Sequence, residues 1–150
     1  MPAETLSRFP LAVIVAAQFL GTSLWFSVNG VGLSLGQELG LTETDLGRLT
    51  IATQAGFILG TLALAATGLA DRFRASRVFA VAAVLGALIN GAFVLVAWQP
   101  AAALVMRFAT GLCLAGIYPL GMKLVISWTP RHTGAALAWL VGMLTLGTAV

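Results

Sequence analysis

The sequence has little charge, little cysteine and little histidine, and each shortage excludes a class of protein. Lys, Arg, Asp and Glu make up 9% of the 150 residues, against about 25% in a typical soluble domain. The single cysteine, Cys113, permits no internal disulfide, and with the single histidine, His132, it fits no metal-binding pattern. The Gly-x-x-x-x-Gly-Lys loop of nucleotide-binding proteins and the Gly-x-Ser-x-Gly elbow of hydrolases are also missing. We therefore expect no soluble fold, no cofactor, no metal and no enzymatic activity.

What the chain has instead is long uncharged runs, and 59% of its residues are hydrophobic. No charged side chain occurs in residues 9–37, 49–70 or 78–106. Each run exceeds the roughly 20 apolar residues with which an α-helix crosses a bilayer. The first run is also longer than the apolar core of a signal peptide, about 7–15 residues, so it is interpreted as a retained span. The predicted fold class is an all-α polytopic membrane protein.

Five helical spans fit the uncharged runs. They are predicted at residues 10–33, 46–66, 78–98, 101–127 and 134–150, the fifth being still incomplete at Val150. The connecting segments are then an N-terminus at 1–9 and loops at 34–45, 67–77 and 128–133.

Basic residues concentrate at one set of helix ends, and the other set holds only Arg48. Because cytoplasmic ends carry an excess of Lys and Arg, the N-terminus and the loop at 67–77 are predicted to be cytoplasmic, and the loop at 34–45 external. The net charge of +3 then reflects topology rather than binding to nucleic acid. We expect an integral protein of a plasma membrane, namely the bacterial inner membrane. The basic residues of the first set are Arg8, Arg72, Arg74, Arg77, Lys123 and Arg131.

Three spans carry stripes of residues at helical spacing that include polar side chains, and the stripe of the second span, Thr50, Gln54 and Thr61, is expected to serve hydrogen bonding between helices. A face directed at lipid would be apolar, so these stripes should point at other helices or at water. Hydrogen bonding between helices without any ligand is the alternative. The other two stripes are Gln18, Thr22, Trp25 and Asn29 in the first span, and Arg107, Gly111, Leu114 and Tyr118 in the fourth.

Arg107 is the most informative single residue, because it lies about seven residues inside a span among apolar neighbours. A charge at that depth is costly and marks a functional site by default. Two interpretations stay open: it faces a protein interior or wet cavity, or it snorkels to the outer interface over about 10 Å of helix. In the first case Gln18 and Asn29 would face it across a cavity, and Gly111 would leave room for a solute.

Three small or amide residues in the other spans are expected to serve packing. Gly56 and Gly60 in the second span are spaced for close helix contact. Asn90 is alone in the third span, which predicts a packing hydrogen bond.

The loop at 67–78, Thr-Gly-Leu-Ala-Asp-Arg-Phe-Arg-Ala-Ser-Arg-Val, resembles a signature of the major facilitator superfamily. That signature, Gly-x-Leu-Ala-Asp-Arg-x-Gly-Arg-Arg, lies between the family's second and third helices. Thr67 and Arg74 stand where the family has glycines, and Ala75 and Ser76 replace its arginine pair. The segment Arg107-x-x-x-Gly111 is similar to the family's fourth-helix motif. The residues that match the signature are Leu69, Ala70, Asp71 and Arg72, with Arg77 supplying a positive charge just beyond it.

The resemblance implies the N-terminal part of a secondary transporter, in which two six-helix halves give alternating access to a central site. It implies a cytoplasmic latch against the other half, with Asp71 as key carboxylate and Arg72 and nearby basic residues as its partners. Expected partners are the bilayer, a small solute with or without proton coupling, and the missing C-terminal half, but no nucleic acid. The resemblance assigns the substrate pathway to Gln18, Trp25, Asn29, Arg107 and Tyr118, and the gating loop to Leu69, Ala70, Asp71, Arg72 and Arg77.

A second reading of the same features is a small non-transporting helical subunit of a larger membrane complex. It would use the polar stripes to bind partner helices. The coding sequence beyond Val150 would separate the two alternatives.

Overall fold

The structure, a computed structural model, describes the backbone of residues 8–128 and 133–148, and those residues form helices and turns with no strand. The helices are α1 (Arg8–Gly30), α2 (Gly32–Leu39), α3 (Glu43–Thr67), α4 (Leu69–Arg72), α5 (Ala75–Val96), α6 (Pro100–Trp128) and α7 (Thr133–Thr148). The all-α fold class is confirmed.

Four helical segments of the described chain are long and apolar enough to cross a membrane. They are Ala12–Leu39, Glu43–Thr67, Ala75–Val96 and Pro100–Trp128. Large apolar side chains on these segments point outward, as Leu33 does with 85% of its surface exposed, and a bilayer is the solvent that covers such surfaces. The chain is an integral membrane protein. The apolar stretch Thr133–Gly142 of α7 is shorter, so the described part of the fifth predicted span is not long enough to be counted with the other four.

The structure corrects the loop predicted at 34–45, most of which is helical. Helix α2 continues to Leu39, and Gly40 ends it in the left-handed conformation with φ 64°. Helix α3 then begins at Glu43 with a capping box: Thr42 Oγ1 accepts from the backbone N–H of Asp45 at 3.2 Å, and Asp45 Oδ2 accepts from the N–H of Thr42 at 3.0 Å. The prediction followed the polar composition of the segment, but the caps set the boundaries, and only about three residues separate the helices.

The loop predicted at 67–77 is also shorter than expected. Gly68 ends α3 with φ 61°, and α4 is a single helical turn that leads directly to the start of α5 at Ala75. Thr67 departs from the family signature, yet the glycine beside it supplies the left-handed conformation that turns the chain.

Helix α6 is the centre of the bundle, because it packs on α1, α3, α5 and α7 and is the most buried of the four spans. Its contact with α3 depends on glycines from both helices. A Cβ built at Gly56 would collide with the carbonyl oxygen of Phe108, and one built at Gly111 would collide with that of Thr53. At Gly60 the built Cβ would lie 2.7 Å from the Cβ of Ala115. The packing role predicted for Gly56 and Gly60 is confirmed.

Two apolar clusters form the core. The first surrounds Val28, Leu49 and Phe93, and the second surrounds Phe79, Leu114 and Ile117. Along α1, α5 and α6 the two clusters are separated by polar residues, and these residues form the candidate site.

Candidate functional site

Arg107 occupies the boundary between the two apolar clusters, with 1% of its surface exposed. Its Nη1 donates to Asn90 Oδ1 of α5 at 2.8 Å, to Ser27 Oγ of α1 at 3.4 Å and to the carbonyl of Leu24 at 3.4 Å. Its Nη2 donates to the carbonyl of Trp25 at 3.2 Å. One guanidinium therefore joins three membrane-spanning helices.

This geometry decides between the two interpretations of Arg107. The side chain turns into the bundle and does not extend to the outer interface. Asn90 makes the packing hydrogen bond that was predicted for it, and it also accepts a 3.0 Å bond from the hydroxyl of Ser27. The sequence did not reveal that Arg107 and Asn90 are partners. The available signal was that each is an isolated polar side chain in its span, and such side chains must find partners inside a membrane.

The charge of Arg107 is not balanced by any carboxylate in the described part of the chain. Its partners are two backbone carbonyls, one hydroxyl and one amide oxygen. The ion pairs found among described residues are Arg48–Asp45 and Lys123–Asp71, both outside this cluster. The Nε atom of Arg107 is buried without a hydrogen-bond partner. The cluster is thus a positively charged site within the membrane domain.

Gln18 forms a second polar link between α1 and α6. It is 2% exposed, and its Nε2 donates a 3.5 Å bond to the carbonyl of Tyr118. Its amide fills the space beside Gly121, where any Cβ would collide with it, and its Oε1 has no partner within the described chain. Pro119, inside α6 at the same level, has no backbone N–H to donate. Gln18 therefore contacts α6 at a turn of that helix that lacks one backbone donor.

Two expected juxtapositions are not found. Gln18 does not face Arg107, because it meets α6 at Tyr118 and Gly121, more than ten positions and so over about 15 Å of helix away. Gly111 leaves no room for a solute, because the backbone of α3 at Thr53 fills the space beside it. Periodicity correctly placed these residues on α1 and α6, but it does not tell which neighbouring helix each one meets.

Trp25 and Tyr118, also assigned to the pathway from the sequence, are half-buried. Trp25 makes an edge-to-face contact with Phe57 of α3, with ring centroids 5.0 Å apart, and Tyr118 lies beside Pro119 on α6. The structure thus brings Trp25 together with Arg107 and Tyr118 together with Gln18, as two separate pairs. The side chain of Asn29 lies outside the described residues.

At the other candidate site, the gating loop, Asp71 is tied to the end of α6. Lys123 Nζ lies 2.7 Å from Asp71 Oδ1, although the side chains are 50% and 82% exposed respectively. The hydrogen bond from Lys123, and then its charge, lower the pKa of Asp71 below the ordinary 3.8. The described partner of Asp71 is thus a basic residue 52 positions away on another helix. Arg72 and Arg77 are exposed, as is Leu69, and the side chain of Ala70 lies outside the described residues.

Comparison with protein families places these features in one known group. A family model described as Major Facilitator Superfamily matches residues 11–150. Comparison with curated proteins and with solved structures gave no match. The matched region includes all four spanning segments, the buried arginine of α6 and the loop with Asp71. The chain belongs to the major facilitator superfamily, a family of membrane transporters.

Proposed function

We propose that this chain is part of a secondary active transporter that moves a small anionic solute across the membrane by alternating access. We choose an anion because Arg107 is buried in the centre of the bundle among neutral partners, and no carboxylate of the described residues pairs with its charge.

Arg107 lies deep in the bundle, seven positions into α6, or about 10 Å along the helix. A charge held at such depth must be stabilised by its surroundings, and neutral oxygens do this only in part. An anionic solute that approaches the cluster would supply the missing negative charge. A carboxylate elsewhere in the complete transporter would do the same, and its protonation would then couple transport to protons.

Helices α1, α3 and α6 are held together by two kinds of contact. Glycine packing joins α3 to α6, and the polar links at Arg107 and Gln18 join α1 to α6. Helices joined in this way move together, as a half of an alternating-access transporter must. The pair Asp71–Lys123 then lies at one end of that unit. We assign it the role of a latch that stabilises one of the two access states.

Trp25 and Tyr118 are half-buried, so their rings are available to a solute once the two halves of the transporter separate. Arg107 and Gln18 would contact the solute from the side of the pathway formed by α1 and α6. Arg107 would attract it through its charge, and Gln18 would accept a hydrogen bond at its unpaired Oε1. Asn29 is assigned to the same face of α1 by its spacing alone.

The experiment is uptake by the natural full-length protein in proteoliposomes, with panels of small anionic, neutral and cationic solutes. We expect saturable uptake of anionic solutes, with and without an imposed pH gradient to test proton coupling. Arg48→Gln is the matched control, because it removes an exposed positive charge from the same end of the bundle, outside the Arg107 cluster. Preference for cationic solutes, or uptake that is unaffected by neutralising Arg107, would refute the proposed substrate class.

A further inference from the structure

An open groove of about 610 Å³ lies on the side of the bundle where α3 and α5 flank α6. It is lined almost entirely by apolar side chains, and Arg77 stands at its loop end beside Phe73. Helix α7 packs on α1 and α6, and none of its described side chains lines the groove. None of the pathway residues discussed above lines this groove.

We propose that this groove is a binding site for a phospholipid with an anionic headgroup, with one acyl chain in the groove and the phosphate on Arg77. The groove follows α5 from Arg77 to Leu85, which is about 12 Å of helix. Half of a typical hydrocarbon core measures about 15 Å. The groove therefore reaches about as deep as one leaflet, as an acyl chain does, and it begins where a headgroup lies.

The charges at the loop end favour an anionic headgroup. Among the side chains that the structure describes at this end, four are cationic and one is a carboxylate, and that carboxylate, Asp71, is already bonded to Lys123. Among the described residues no ion pair or side-chain hydrogen bond engages the guanidinium of Arg77. Helix α5 also begins at this point without a side-chain cap, so its first backbone N–H groups add to the attraction for a phosphate. The cationic residues are Arg72, Arg74, Arg77 and Lys123.

Basic residues at the membrane surface attract anionic lipids, and a guanidinium binds phosphate through paired hydrogen bonds. The apolar groove adds what a surface charge alone lacks, namely a fixed place for the acyl chain. A site of this kind retains particular lipid molecules, whereas a diffuse basic surface only concentrates anionic lipids nearby.

The test uses the natural full-length protein, purified in a mild detergent with equal amounts of phosphatidylglycerol and phosphatidylcholine, and native mass spectrometry of the retained lipids. We expect the wild type to retain phosphatidylglycerol preferentially and Arg77→Gln to reduce that preference about fivefold. Arg74→Gln is the matched control, because it removes the same charge from the same loop at a residue outside the groove lining. Equal losses in the two variants would overturn the proposal in favour of a diffuse surface potential.

A second pair of measurements tests the acyl chain. Ala63 is exposed and lines the groove, so Ala63→Trp should fill the groove without changing the charge, and retention of phosphatidylglycerol should fall as far as in Arg77→Gln. Cys113 also lines the groove, so a small maleimide should modify it more slowly in vesicles that contain phosphatidylglycerol than in pure phosphatidylcholine. Unchanged retention of phosphatidylglycerol in Ala63→Trp would overturn the proposal. So would a Cys113 that stays unreactive even after complete delipidation, because it would show that another protein segment covers the groove.

Discussion

Arg107 of α6 donates a 2.8 Å hydrogen bond to Asn90 of α5, and so links two polar side chains on different membrane-spanning helices. Replacing Asn90 by Ala would leave a buried cation without its shortest acceptor. We expect a loss of about 1–2 kcal/mol in the free energy of unfolding, because an unsatisfied buried group costs more than its bond contributed.

Thermal unfolding of the full-length protein in detergent measures this loss. The matched comparison is Asn90→Ala in an Arg107→Met background, where no charge remains to be satisfied and the loss should be smaller, limited to the bond from Ser27. An equal loss in both backgrounds would show that Asn90 acts independently of Arg107.

Gly111 and Gly56 are predicted to be the least replaceable glycines of the bundle. A Cβ at either position would collide with backbone atoms of the facing helix, Thr53 or Phe108, and backbone cannot rotate away as a side chain can. Gly111→Ala should therefore separate α3 from α6 and reduce stability by about 1–3 kcal/mol.

Gly91→Ala in α5 is the matched control, because nothing lies within 4 Å of the built Cβ there. It should be neutral or stabilising by up to about 1 kcal/mol, since Ala favours helix more than Gly does. Similar melting temperatures for the two variants would mean that the α3–α6 contact is looser than described.

The contrast between these residues shows what the sequence could predict. Long uncharged runs predicted the helical, membrane-spanning nature of the first four spans, because the thickness of the bilayer sets their length. Spacing placed Gln18 on the inner face of α1 and Gly56 at a helix contact, since both follow from the helical period. The pairing of Arg107 with Asn90, or of Asp71 with Lys123, depends on which helices are neighbours and how far each is rotated. A single sequence contains no signal for that arrangement.

Asp71 and Lys123 are predicted to control transport rather than stability. Their side chains are largely exposed, and exposed ion pairs contribute little to folding. Asp71→Asn and Lys123→Gln should each impair uptake while leaving expression and melting temperature nearly unchanged. The exchange Asp71→Lys with Lys123→Asp should restore part of the activity, because it recreates the pair in reverse.

The pH dependence of this pair follows from the lowered pKa of Asp71. A carboxyl group whose folded pKa lies below its ordinary value contributes above that ordinary value and loses its contribution as the pH falls through the folded pKa. Protonation of Asp71 should therefore not alter uptake near neutral pH. The pH profiles of the wild type and of Asp71→Asn should run parallel in that range. A titration near neutral pH that disappears in Asp71→Asn would contradict the assignment.

The orientation predicted from the basic residues is tested by labelling. Ser76 and Thr44 are both exposed and lie at opposite ends of the bundle. In intact cells a membrane-impermeant maleimide should modify a cysteine introduced at Thr44 and spare one at Ser76, because the loop at 67–77 is predicted to face the cytoplasm. The reverse pattern would invert the topology, and permeabilised cells provide the control for reactivity.

Arg107 itself permits the sharpest separation of structural from functional roles. If the guanidinium serves the fold, its removal should destabilise the protein. If it serves transport, removal should abolish uptake at little cost to stability, because a buried charge is costly and apolar replacements of similar volume are often neutral or stabilising. The surroundings favour the second result, since Ser27 and Asn90 already bond to each other at 3.0 Å and would remain paired. We therefore expect Arg107→Met to insert and melt like the wild type, and to transport at least about tenfold more slowly, the effect of about 1.4 kcal/mol in the transport barrier.

Arg107→Lys should recover little, because one ammonium cannot reach both Asn90 and the carbonyl of Trp25, which the guanidinium contacts through different nitrogens. Uptake assays with melting temperatures measured in parallel distinguish the two roles of Arg107. Normal uptake by Arg107→Met would show that the arginine serves only helix packing, and would contradict the proposed preference for anions.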